Sequence, residues 1–154
     1  MAETFLPEMT GVVLRVRELD ALVPFAHVTL LAPFGGDGGP TAGEIADLED
    51  FFAEVAPFEF RLSGESRFPD GPRYWCPEPA ATFRRLTHDL HHAFPEYPPF
   101  QGAFATVVPH LTVPDDAPAF GREVRVTARE ATLLHHDESG FREVRSFALG
   151  TSAA

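Results

Sequence analysis

The stretch FAHVTLLAPF (residues 25–34) contains the phrase His27-Val28-Thr29-Leu30, and VVPHLTVPDD (residues 107–116) repeats its pattern as His110-Leu111-Thr112-Val113, 83 positions later. Both stretches read as strands, being rich in β-branched and apolar residues. Side chains two apart on a strand share a face. Each strand therefore offers an imidazole and a hydroxyl on one side and two apolar side chains to a core on the other. If the two strands lie side by side, or face each other across a groove, two His and two Thr converge on one small volume. That set suits phosphoryl chemistry. A neutral imidazole takes a proton from an attacking water while a protonated one gives a proton to the leaving oxygen. The two hydroxyls donate to the non-bridging oxygens, where charge accumulates in the transition state. None of these roles calls for a metal or another cofactor. A single His-x-Thr would be unremarkable, so the duplication is the signal.

Outward from the two phrases the chain alternates strand and helix patterns. GVVLRV (11–16) reads as a strand ahead of FAHVTLL, and GGDGGP (35–40) as a flexible loop at the edge of the cleft. Thr41 with Glu44 three residues later reads as a capping box, opening a helix whose apolar residues Ile45, Leu48, Phe51, Phe52 and Val55 fall at helical spacing and which ends before Pro57. FEFRLSGESRF (58–68) alternates as a strand, residues 69–72 form a turn, and RYWC (73–76) begins another strand. A second helix follows Pro79, with Phe83, Leu86, Leu90 and Phe94 on one face. A Pro-rich loop at 94–102 leads to the second phrase, and residues 122–149 read as strands with a turn at DESG (137–140).

Bulk properties narrow the partners. With 154 residues and 44% hydrophobic content, the chain fits one domain, 1–154. No apolar run reaches the length of a membrane helix, and the opening MAETFLPEMTG lacks the basic region of a secretory signal. The lone Cys76 forms no internal disulfide, which points to a reducing cytoplasm. The net charge is −11, and every basic residue is Arg. So acidic a chain repels a long phosphate backbone, so a small substrate or an RNA end is expected rather than a long duplex.

Other residue types are weighed against plainer roles. His88, His91 and His92 share a helix face at metal-binding spacing, but only Asp89 lies near to complete a site, and a solvated face is expected. His135 and His136 point to opposite faces of a strand and read as surface residues. Cys76 reads as a structural thiol. GGDGGP lacks the Lys-Ser or Lys-Thr of a phosphate-binding loop. Phe34, Tyr74 and Trp75 are candidates to stack a base, and Arg67 and Arg73, flanking the turn at 69–72, to reach a phosphate. Phe34, Tyr74 and Arg73 are taken as candidate substrate-binding residues.

At these residues the chain resembles the 2H phosphoesterase superfamily, whose signature is two His-x-Thr-x motifs roughly 80 residues apart. HVTLLAPF, PHLTV, the segment WCPEPAATFRRLTHDLHHAFPEYPPF and GFREVRSFALG look particularly like its bacterial 2′-5′ RNA ligase-like branch. The resemblance implies an α+β fold: two pseudo-symmetric lobes of antiparallel sheet with outer helices, around a central cleft that carries both motifs. It implies His27, Thr29, His110 and Thr112 as catalytic residues, with His27 as acid and His110 as base, the reverse order remaining open. It also implies metal-independent cleavage of a cyclic phosphodiester, usually a nucleoside or RNA-end 2′,3′-cyclic phosphate. The alternatives are a different cyclic phosphate, such as an ADP-ribose derivative or lipid head group, 2′-5′ RNA ligation, or nucleotide binding without turnover. The segments 17–24 and 114–121 are shorter than in relatives, and Ala32 stands where relatives often carry an aromatic.

Overall fold

The computed structural model describes residues 8–36, 38–69, 71–98 and 108–150. The elements run β1 (Met9–Arg15), a 3₁₀ turn (Arg17–Leu19), β2 (His27–Leu31), α1 (Ala42–Ala53), β3 (Phe58–Arg67), β4 (Arg73–Glu78), α2 (Ala80–Ala93), β5 (Leu111–Val113), β6 (Val124–Ala128), β7 (Glu130–Asp137) and β8 (Gly140–Ala148). They form two antiparallel four-stranded sheets, ordered β2-β1-β7-β8 and β5-β4-β3-β6. Each motif strand is thus the outermost strand of its own sheet, and β2 and β5 contact each other where the sheets meet. Helix α1 packs on β8 of the first sheet, whereas α2 packs on β2 and β4 and so touches both.

Local chemistry accounts for most of these elements. Both halves of the capping box form: Thr41 Oγ1 accepts from the Glu44 amide at 3.1 Å, and Glu44 Oε1 accepts from the Thr41 amide at 2.9 Å. The helix stops at Ala53, four residues short of Pro57, with Leu48 and Phe52 buried and Ile45, Phe51 and Val55 partly buried. On α2 the expected apolar face is the buried one. Phe83 fills the space between the helix and β3, its ring edge-on to Phe60 at 5.0 Å and Phe58 at 5.9 Å. Burying a side chain of that size contributes on the order of 1.5–3 kcal/mol. The turn at DESG is a tight hairpin: Asp137 Oδ1 accepts the Ser139 amide at 2.8 Å, and Gly140 takes the φ of +106° that favours glycine.

Two elements differ in extent from the sequence reading. β4 continues beyond RYWC through Pro77 to Glu78, and the register of β3 shifts between Leu62 and Glu65. Pro77, which pairs with Leu62, has no N–H for the ladder, and a bulge in the partner strand is where proline is tolerated in a sheet. β5 is only three residues long and begins after His110, because Pro109 likewise brings no N–H to extend the pairing. Asp70 of the 69–72 turn, residues 99–102 of the Pro-rich loop, and residues 1–7 lie outside the described residues.

Candidate active site

The alternation expected of the motif strands holds for the apolar positions: Val28, Leu30, Leu111 and Val113 are all buried. The polar positions are less uniform. His27 is half-buried and Thr112 exposed, whereas Thr29 and His110 retain only 6% exposure each.

Both imidazoles are held by the same bond. His27 Nδ1–H donates to the Phe25 carbonyl at 2.6 Å, and His110 Nδ1–H donates to the Val108 carbonyl at 2.7 Å, in each case two residues back along the chain. With Nδ1 so committed, the neutral ring carries its lone pair on Nε2, which makes that atom the one to take or give a proton. Each ring is also braced by a phenylalanine at a hairpin of its own sheet. Phe141, one residue beyond the glycine of the β7–β8 turn, stands edge-on to His27 at 5.4 Å, and Phe68, at the end of β3, stands edge-on to His110 at 4.9 Å. A cleft of about 740 Å³ opens between the sheets. Phe25, His27, His136 and Phe141 line one wall, and Arg67, Pro72, Thr112 and Asp115 the other.

The electrostatics favour neutral rings. Burial is the main influence on His27; the Phe25 carbonyl opposes it, the charges of Arg15 and His110 reinforce it, Asp20 opposes, and the outcome is a pKa of about 4. Burial also lowers His110, against the pull of the Val108 carbonyl. That His110 is felt at His27 places the two rings in one electrostatic neighbourhood. Thr29 Oγ1 is buried without a hydrogen-bond partner among the described residues. Leaving a hydroxyl so costs on the order of 1–3 kcal/mol.

The remaining candidates fall in different places. Tyr74 pairs with Thr112 across β4 and β5, and its ring lies 5.8 Å from that of His110. Phe34 does not join them; it is buried against Phe94 and Tyr97, and with the glycines of the 35–40 loop it lines a separate hollow. Arg73 is also occupied elsewhere. Its Nε and Nη2 reach the two oxygens of Glu65 at 3.1 and 2.9 Å. Its Nη1 and Nη2 donate to the carbonyls of Pro114, Asp115, Ala117 and Pro118 at 3.0–3.1 Å. This fork folds the segment that follows the second motif, and Arg73 holds the Glu65 carboxyl down at about 2. Arg67, not Arg73, lines the cleft, bonded to the Gly71 carbonyl and 3.8 Å from Asp115.

His135 and His136 do take opposite faces. His135 Nδ1 bonds Thr10 Oγ1 at 2.8 Å, while His136 turns into the cleft, 4.6 Å from the Phe141 ring. His88 and His92 are exposed on α2, and no group of three or more potential ligands occurs among the described residues. Cys76 is half-buried, its thiol pushed up by burial, and Trp75 is buried with Nε1 donating to Glu65. Sequence reasoning missed Phe68, Phe141 and His136.

Two antiparallel four-stranded sheets whose edge strands β2 and β5 meet, with helices packed on them, form the α+β fold of the 2H phosphoesterases; of the two motif histidines, His27 lines the cleft and His110 is buried behind it. The model of the 2'-5' RNA ligase superfamily matches residues 15–139, and the chain belongs to that family. Solved structures share the fold at low identity. TT0787 of Thermus thermophilus is 20% identical, with 91% of this chain and 97% of that one covered and a TM-score of 0.66. E. coli LigT complexed with 3'-AMP is 16% identical, covering 94% and 99%, with a TM-score of 0.63. A phosphoesterase is 17% identical, covering 95% and 100%, with a TM-score of 0.64. LigT has also been crystallised with NADP+ and with ATP. No curated protein matches the sequence significantly.

Proposed function

We propose that the protein hydrolyses a small cyclic phosphodiester, with a nucleoside or RNA-end 2′,3′-cyclic phosphate as the preferred class, using His27 and His110 as an acid–base pair. The observation that carries this reading is the twin Nδ1–carbonyl bond, which gives two rings on neighbouring edge strands the same tautomer, with Nε2 as the basic nitrogen of each. The nucleotides held by LigT and the acidic charge of this chain favour a small nucleotide over a long nucleic acid.

In the proposed reaction, water attacks phosphorus in line with the departing ribose oxygen, losing its proton to the Nε2 of a neutral imidazole. The bond from phosphorus to that oxygen breaks, and the other imidazole, protonated, donates its Nε2 proton to it, yielding a nucleoside monophosphate. Thr29 and Thr112 donate to the non-bridging oxygens. The fixed cation Arg15 beside His27 disfavours an imidazolium there. His27 is therefore assigned as the base and His110 as the acid, the reverse of the order suggested by the resemblance.

The test is turnover of a panel of 2′,3′-cyclic nucleotides, other cyclic phosphates and ADP-ribose derivatives by purified protein in the presence of a chelator. His27→Ala and His110→Ala should each lower the rate roughly 10²-fold or more. The double variant should be little worse than either alone, because the pair acts as a unit. Tight nucleotide binding without turnover on any member would replace this reading with a binding function. Loss of turnover on chelation, restored by zinc or magnesium, would overturn the side-chain mechanism.

A further inference from the structure

The two histidines are held alike but not supported alike. The carbonyl that receives His27 Nδ1 belongs to the Phe25–Ala26 peptide, and the N–H of the same peptide donates to Asp20 Oδ1 at 3.0 Å. One planar amide thus joins a carboxylate on one edge to an imidazole on the other. The backbone at Phe25 has φ of +53°, a left-handed region that a non-glycine residue keeps only where surrounding bonds enforce it. Arg15, directly opposite His27 in the β1–β2 ladder, completes the arrangement. Its side chain is only 4% exposed. Its Nη2 lies 2.5 Å from Asp20 Oδ2, its Nε 3.4 Å from Glu143 Oε2, and its Cζ 5.2 Å from the centre of the Phe25 ring. At the second motif the corresponding amide is Val108–Pro109, and proline has no N–H. No carboxylate can act on His110 by that route.

We propose that Asp20 is a positioning residue for His27, acting through the Phe25–Ala26 peptide: the carboxylate polarises the amide, the amide carbonyl fixes the Nδ1–H tautomer, and Arg15 offsets the carboxylate's charge. Hydrogen bonds in series strengthen one another, so a carboxylate on the N–H makes the carbonyl a better acceptor. The logic is that of a carboxylate orienting a catalytic imidazole, with a peptide bond inserted between them. The groups that act on the ring are Arg15 and Asp20 from its own sheet and the turn beside it, Phe141 with His136 near it, and His110 from the second sheet. Glu143 faces the far side of Arg15, and Arg67 with Asp115 line the opposite wall.

The inference rests on the phosphoesterase reading for its consequence in rate, and its first readout does not depend on turnover. Long-range ¹H–¹⁵N spectra report the tautomer and titration of each ring, with His110 as internal control. In the wild-type protein, both neutral rings should show the Nδ1–H tautomer. In Asp20→Ala the His27 ring should become a tautomer mixture while His110 is unchanged, and kcat on a 2′,3′-cyclic nucleotide should fall roughly 10- to 100-fold with little change in KM, as when an outer-shell partner is lost. Asp20→Asn keeps an acceptor for the Ala26 amide but removes one of the two carboxylates that offset Arg15. It should therefore keep the tautomer and lower the His27 titration midpoint. If Asp20→Ala does not fold, Asp20→Asn carries the test. An unchanged His27 tautomer in folded Asp20→Ala, or an unchanged midpoint in Asp20→Asn, overturns the proposal. Wild-type protein without turnover on any cyclic phosphate overturns the functional reading and leaves the spectroscopic test standing.

Discussion

Replacing His27 by Gln removes one titrating group and keeps a planar polar side chain of similar reach, which makes the desolvation of this site measurable as stability. The folded ring titrates at about 4, against an ordinary value of 6.5. Because the folded value is the lower one, the unfolded chain binds more protons as pH falls. The ring's contribution is therefore level above pH 6.5 and is lost as pH drops through the window from 6.5 towards 4. Linkage over those two values makes the loss between pH 7 and pH 5 about 2 kcal/mol. The assay is urea denaturation of both proteins at those two pH values. The stability of wild type minus that of His27→Gln should shrink by about 2 kcal/mol on acidification. His110, also lowered, is present in both proteins, so the greater part of its own titration cancels in the difference. Glu65 and Glu44, whose values lie below the ordinary carboxylate range, lose their contributions only at lower pH. A difference equal at the two pH values to within about 0.5 kcal/mol would show that His27 is solvated like an ordinary histidine, and would refute the electrostatic account of the cleft.

Other consequences can be measured directly. With both free-enzyme imidazoles lowered, the pH profile of kcat/KM on a cyclic phosphate should be bell-shaped and centred below pH 6.5; a plateau extending through pH 8 would contradict it. Thr29→Val should raise unfolding stability by about 1 kcal/mol, by removing a buried hydroxyl without a partner, and lower kcat roughly 10²-fold; a fall in stability would show that the hydroxyl is satisfied in solution. A cyclic phosphate whose leaving group needs no proton should restore turnover to His110→Ala but not to His27→Ala, and the opposite pattern would reverse the acid and base roles. Arg73→Lys should lower the thermal midpoint and open residues 114–118 to proteolysis while leaving KM of the folded protein unchanged; a rise in KM alone would return Arg73 to phosphate binding.

The parts of the fold that sequence expressed well are those written in local rules. The capping box at Thr41 and Glu44, the buried face of α2 and the Asp137–Gly140 hairpin each depend on residues within a few positions of one another. The duplicated His-x-Thr phrase was legible for the same reason, and it located both edge strands. Arg73 was not legible as a loop clamp, because its carbonyl acceptors lie 41 to 45 residues away and any residue type offers a carbonyl. Phe68 and Phe141 were hidden among fifteen phenylalanines, with nothing local to separate a ring that braces an imidazole from one in the core. The Asp20 contact is harder still to see, since its partner is the backbone N–H of an alanine. Asp20 lies only six residues before that amide, in the 17–24 segment.

A site built from two like halves raises a question of regiochemistry. A ribose cyclic phosphate has two ester oxygens, and rotating the ring in a two-fold cleft exchanges which of them faces the acid, so a fully symmetric site would release both the 2′- and the 3′-monophosphate. Among the differences between the halves are an alanine amide tied to a carboxylate and a buried guanidinium at the first motif and a proline at the second, beside the unequal burial of the two histidines and the two threonines. Under the proposed chemistry the isomer ratio of the product thus measures how far these differences, the N–H present before His27 and missing before His110 among them, break the equivalence of the two strands.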